Sequence, residues 1–193
     1  GYGTTLGNSM RRILLSSIPG TAFTSLKVDG VQHEFSTIKG VTEDVAEIIL
    51  NLKGVRLKAD MSAPTRLIAD IKGPKDFKAG DLQDFTSEVT ILNPDHHLFT
   101  IGKEGHVRME LRVGHGRGYV VSDENKLPDA PLGTVAIDSI FTPISNVRFH
   151  VEPTRVGQKT DYEKLILEIE TDGSLTPEEA VTTAGRVLRD HVN

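Results

Sequence analysis

The chain has no cysteine in its 193 residues, which removes disulfides, thiolate zinc sites, iron–sulfur clusters and a cysteine nucleophile from consideration. It also lacks any apolar run near the ~18 residues of a membrane span, and its opening residues lack the basic-then-apolar build of a signal peptide. A soluble, cytoplasmic protein is expected. Positive charge is in short supply as well: 22 Lys and Arg stand against 27 Asp and Glu, for a net charge of −5. That sign disfavours a surface gripping phosphates over its whole extent, so direct DNA binding is not expected. There is no internal repeat and no low-complexity stretch. One local scarcity runs the other way, because residues 1–28 contain Arg11, Arg12 and Lys27 but no acid.

What is present is an ordinary globular balance, 37% apolar and 25% charged, in a chain long enough to bury a sizeable core. Leu6, Met10, Ile13, Leu14 and Ile18 follow helical spacing and end at Pro19-Gly20, which predicts a first helix. Alternation through Ala22, Leu26 and Val28, then Val31 and Phe35 beyond Asp29-Gly30, predicts a hairpin. Thr42 as N-cap, with Glu43 and Asp44 in the first turn, starts a second helix carrying Val45, Ile48, Ile49 and Leu52. Leu67, Ala69 and Ile71 alternate, as do Val107, Met109, Leu111 and Val113, so the middle reads as β-rich. Residues 122–133, polar with two prolines, read as an exposed loop. Near the end, Leu165, Leu167 and Ile169 predict a strand and Asp172-Gly173 a turn. Thr176, Pro177 and Glu179 then open a final helix, with Ala180, Val181, Ala184, Val187, Leu188 and Val192 on one stripe.

Catalytic patterns are weak. "GYGTTLG" misses the dinucleotide-binding spacing by one residue. "GHGRGY" fits a strand ending in a glycine turn with positive φ better than an anion cradle. Asp95, His96 and His97 lack metal-ligand spacing and read as a solvated loop. No metal or other cofactor is expected, and no nucleophile–base pair can be drawn. A free-standing small metal-dependent enzyme and a nucleic-acid-binding module are the rival readings.

The two arginines bear on function. The first helix is apolar over too wide an arc for one buried stripe, which suggests one face against its own sheet and another against a partner chain. Arg12 lies beside Gly7, Asn8 and Ser16, small residues expected to let another chain approach, and an arginine at such an edge is a common interface anchor.

The stretches "GYGTTLGNSMRRILLSSIPG", "VDGVQHEFSTIKGVTEDVAEIILNLKG", "GRGYV" and "IDSIFTPISNVRFHVEPTRVGQKTDYEKLILEIETDGSLTPEEA" together resemble the amino-terminal domain of the bacterial RNA polymerase alpha subunit. The resemblance implies an α+β fold of two lobes. One is a dimerising αβ lobe, an antiparallel sheet with two helices, from residues 1–20 and 143–193. The other is an inserted β-rich lobe from 21–142. It implies a non-catalytic subunit of a nucleotidyltransferase complex, which homodimerises and scaffolds the beta and beta-prime subunits. Tyr2, Leu6, Ile13, Ala184 and Leu188 then fall at the dimer contact, and Arg12, Leu15, Lys53 and Ile137 where the larger subunits are met. An amino-terminal strand segment and a separate DNA-binding domain, both expected from the resemblance, are not among these 193 residues. Val121 stands where proline is often found, and Gly185 where alanine is usual, at roughly 1 kcal/mol of helix propensity.

Overall fold

In the computed structural model, which describes residues 1–60 and 65–192, the chain forms an α+β protein of antiparallel sheets and helices. It divides into two compact units, one made of Gly1–Pro19 with Thr142–Asn193 and the other of Gly20–Phe141. In chain order the elements are α1 (Gly3–Ser16), β1 (Pro19–Val28), α2 (Val45–Lys53), β2 (Leu57–Ala59), β3 (Thr65–Lys72), β4 (Lys75–Lys78), β5 (Val89–Ile91), β6 (His97–Ile101) and β7 (His106–Arg117). Then follow β8 (Tyr119–Val120), β9 (Val135–Ala136), β10 (Ser139–Ile140), β11 (Ile144–Val156), β12 (Lys159–Thr171) and α3 (Pro177–Val192).

The unit formed by Gly20–Phe141 is built on a sheet of order β3-β7-β1-β9. Strict alternation buries Leu67, Ala69 and Ile71 of β3 together with Val107, Met109, Leu111 and Val113 of β7. Those two strands pair in continuous register from Thr65 opposite Val113 to Lys72 opposite His106, so their apolar side chains share one face. Helix α2 adds Val45, Ile48, Ile49 and Leu52 to the same core. A tilted Phe77–Phe99 pair with centroids 5.0 Å apart joins it from β4 and β6. The N-cap of α2 is Asp44, whose carboxylate accepts the Glu47 N–H at 2.8 Å, and not the expected Thr42. Asp44 is the last extended residue, so its side chain reaches back onto the helix.

Val31 and Phe35 form no strand. After Gly30, at φ +82°, the Val31 N–H closes onto Val28 O at 3.1 Å and the chain continues through turns. Only Val31 is buried, while Phe35 is 77% exposed. Two apolar residues were too few to define a period. The "GHGRGY" segment does behave as expected, as the end of β7 followed by Gly118 at φ +61°. A Cβ on Gly116 would lie 2.6 Å from the Phe141 ring, so that glycine is required by packing.

In the other unit, β11 and β12 form a long antiparallel hairpin on which α1 and α3 pack. Met10, Leu14, Ile18, Ile144, Val147, Ala180 and Ala184 make its core. Gly7 lets α1 lie close to β11, since a Cβ there would come within 2.5 Å of the Phe149 ring. The expectation that Gly7 serves an approaching partner is therefore corrected, because its own hairpin uses that space. The start of α1 has no local side-chain cap. Its Gly3 N–H instead donates to Glu163 Oε2 of β12 at 3.0 Å, a carboxylate at the positive end of the helix. At α3 the Thr176 hydroxyl accepts the Glu179 N–H at 3.2 Å, as the sequence suggested.

Candidate assembly surfaces

In α1 the buried line is Gly7, Met10 and Leu14. One flank over from it, at i, i+4, i+7 and i+11, lie Tyr2, Leu6, Ser9 and Ile13. Tyr2 is 86% exposed and Leu6 43%, while Ile13 is half-buried against the core. Helix α3 repeats the arrangement: Ala180 and Ala184 are buried, and the flank at the same spacing carries Val181, Gly185, Leu188 and Val192. Val181 and Leu188 are half-buried, Val192 is 78% exposed, and a Cβ on Gly185 would meet nothing within 4 Å. Each helix of this unit thus carries apolar side chains that its own core covers partly, as at Ile13, Val181 and Leu188, or leaves exposed, as at Leu6 and Val192.

The expected dimer residues separate on this geometry. Tyr2, Leu6, Ile13 and Leu188 lie on the open flanks. Ala184 has no exposed surface, since its methyl group fills the core between helix and hairpin. The residues of α3 that keep apolar surface lie instead on the adjoining flank, with Val181 half-buried and Val192 exposed, as the i, i+4, i+7 spacing could have pointed out.

Arg12 and Leu15 occupy another side of α1. Arg12 is exposed and makes no ion pair among the described residues, whereas the neighbouring Arg11 guanidinium donates to Val147 O at 3.3 Å. Leu15 is half-buried at the margin of the core.

In the unit Gly20–Phe141, Lys53 ends α2 and its ammonium donates to Asp138 Oδ2 at 3.2 Å. Asp138 is the centre of a small network. It accepts the Ser122 N–H at 2.7 Å, the Tyr119 hydroxyl and Lys53, and these hold its carboxyl down at about 2. The Tyr119 hydroxyl is pushed up by the same bond. Ile137, one residue earlier, points the other way and is 1% exposed within the core. Its side chain cannot touch another chain, which corrects its placement at an interface; a change there would act through packing.

The reading of His96 and His97 as a solvated loop is also corrected. The His96 ring engages Asn51 O at 2.7 Å at the end of α2. His97 donates through Nδ1 to Asp76 Oδ1 at 2.7 Å and through Nε2 to Glu43 Oε1 at 2.8 Å. Two carboxylate contacts require both ring nitrogens to carry protons, so the imidazolium is favoured. The bond to Glu43 is the main cause that raises His97. Burial pushes Glu43 up, but the Thr100 N–H at 2.8 Å and His97 outweigh it and leave its carboxyl lowered. The three side chains tie the start of α2 to β4 and β6. Among the described residues, no group of three or more His, Asp or Glu is placed to hold a metal ion. No helix there is long and apolar enough to cross a membrane.

Two α+β units, one carrying a β-rich insertion in the chain of the other, define the class of protein. Residues 26–142 match the family model described as the RNA polymerase Rpb3/RpoA insert domain. The chain is 59% identical over 193 residues to the DNA-directed RNA polymerase subunit alpha of Salinibacter ruber, which covers 100% of this chain and 59% of that protein. It is 55% identical over 192 residues to the Chlorobaculum tepidum subunit, with 100% and 58% covered, and 54% identical over 193 residues to that of Prosthecochloris aestuarii, with 100% and 59% covered. The chain belongs to the bacterial RNA polymerase alpha-subunit family, as its amino-terminal domain. It spans a little under three-fifths of the length of these relatives.

Proposed function

We propose that this domain is an assembly scaffold of DNA-directed RNA polymerase in the cytoplasm: it homodimerises and receives the beta and beta-prime subunits, and it contributes no catalytic residue, cofactor or direct DNA contact of its own. The unit containing α1 and α3 is the dimerising lobe, and the Gly20–Phe141 unit is the inserted lobe. The observation that carries this reading is the pair of apolar flanks, where Tyr2 and Leu6 on α1 and Val192 on α3 stay exposed and Ile13, Val181 and Leu188 are only partly buried against the unit's core. Leaving such side chains in water forfeits roughly 25 cal/mol per Å² that a second copy would recover. Obligate interfaces of this kind are large and apolar.

Exposed, unpaired Arg12 is assigned to the beta subunit, with Leu15 beside it. An arginine whose planar fork has no ion-pair partner among the described residues is suited to a carboxylate on another chain. Lys53, with the Asp138 network, is assigned to a contact with a larger subunit. Light scattering on the full-length subunit should give the mass of a dimer, and a strictly monomeric mass at micromolar concentration would refute the pairing of flanks. Arg12→Ala should leave that mass unchanged while weakening capture of the beta subunit at least tenfold; unaltered capture would remove Arg12 from the contact.

A further inference from the structure

Within the Gly20–Phe141 unit, a groove of about 700 Å³ lies over the sheet beneath the loop that follows β8. Gly114 and Gly116 of β7 also line it, and the space beside Gly116 is taken by the Phe141 ring. Its walls include Leu127, Leu132 and Phe141. Leu132 is 89% exposed and Leu127 46%, so the walls offer apolar surface to an occupant. The volume lies within the ~300–1,000 Å³ typical of small-molecule sites.

Charge selects the kind of occupant. Arg112 lines the groove and is only partly exposed. Across the β3–β7 register it faces Arg66, and it is Arg66 that takes Glu110, at 2.8 Å. The other basic groups of the lining are engaged: Lys126 pairs with Asp123 at 3.0 Å, and His115 Nδ1 meets the Thr21 hydroxyl at 3.1 Å. One acidic residue, Glu124, lines the groove and is exposed. Among the described residues, Arg112 has no carboxylate partner. An arginine with no carboxylate partner in a groove with apolar walls matches an apolar organic body bearing a single anionic group, with the planar fork receiving both oxygens.

We propose that this groove binds a small amphipathic organic anion, an apolar body with one carboxylate, whose charge is met by Arg112. The proposal goes beyond the assembly reading and does not depend on it.

The probe is biphenyl-4-carboxylate, with biphenyl-4-carboxamide as its uncharged isostere, both titrated calorimetrically into the full-length subunit. The carboxylate should bind once per chain and at least tenfold more tightly than the amide. Arg112→Met, which keeps the aliphatic stem, should abolish that preference, and Arg112→Lys should restore part of it. Ala136→Trp, which fills the groove from β9, should remove binding of both probes without lowering the Arg12-dependent capture of the beta subunit. Equal affinities for the two probes, a preference that survives in Arg112→Met, binding that survives in Ala136→Trp, or no heat at all would each overturn the proposal.

Discussion

The two units of this molecule treat their apolar residues differently. Between Gly20 and Phe141, strands and helix α2 close on a core that holds a pair of phenylalanines, and the outward positions of β3 and β7 are largely polar. In the unit of Gly1–Pro19 and Thr142–Asn193, a two-stranded hairpin and two helices bury only a narrow line of side chains, and both helices keep apolar residues on a neighbouring flank. A two-stranded sheet offers too little surface to cover two amphipathic helices. The first unit closes over its own apolar side chains, whereas the second leaves apolar surface in water, the surface we propose a second copy covers.

This contrast separates stability from association. The largest effect belongs to the closed core: Phe99→Ala removes a fully buried ring and should cost about 3–5 kcal/mol, read as a lower urea midpoint at unchanged m-value, with the dimer mass retained where the protein remains folded. Leu6→Glu should do the opposite. Leu6 is 43% exposed, so folding should change by no more than about 0.5 kcal/mol, while the dimer dissociation constant should rise at least tenfold, about 1.4 kcal/mol. Equal effects of the two substitutions on mass would erase the distinction between the units.

Gly185→Ala should act in two directions. Open space around the missing Cβ means that alanine would gain roughly 1 kcal/mol of helix stability. Its position on the α3 flank means that the added methyl would hold a second copy further away, so dimer affinity should fall several-fold. Unchanged affinity by sedimentation would place the helix crossing elsewhere.

The smallest effect concerns pH and the closed unit alone. His97 is raised by its two carboxylates, so its contribution is fully present below its ordinary value of 6.5 and is lost as pH rises through the folded value. Glu43 is lowered, so its contribution is present above 4.5 and is lost as pH falls. Stability attributable to this cluster should therefore peak between those limits. His97→Gln should flatten the decline on the alkaline side, as measured by melting temperature against pH; an identical decline in the variant would show that the cluster adds nothing.

Much of this organisation could be read from the residues. The alternation in β3 and β7 and the helical periods of α1, α2 and α3 are local patterns repeated often enough to be unambiguous, and they emerge in the structure where expected. The segment after Asp29-Gly30 offered too few apolar positions, and tertiary contacts decided it. The site was legible in part. The excess apolar arc of α1 pointed to a second surface, yet no local pattern could reveal that Gly7 is claimed by Phe149, more than a hundred residues away in sequence, or that Ala184 is consumed by the core. The same applies to His97, whose partners Glu43 and Asp76 come from separate elements. Motifs that depend on spacing were readable, whereas networks assembled across the sheet were not.

The central claim is that the flanks of α1 and α3 are covered by a second copy of the chain. Hydrogen–deuterium exchange on the full-length subunit, followed over a dilution series, tests it directly. Peptides spanning residues 2–13 and 181–192 should lose protection on dilution together, at the concentration where the mass halves, while peptides from β3 and β7 stay unchanged. Exchange in both helices that is independent of concentration would contradict the account.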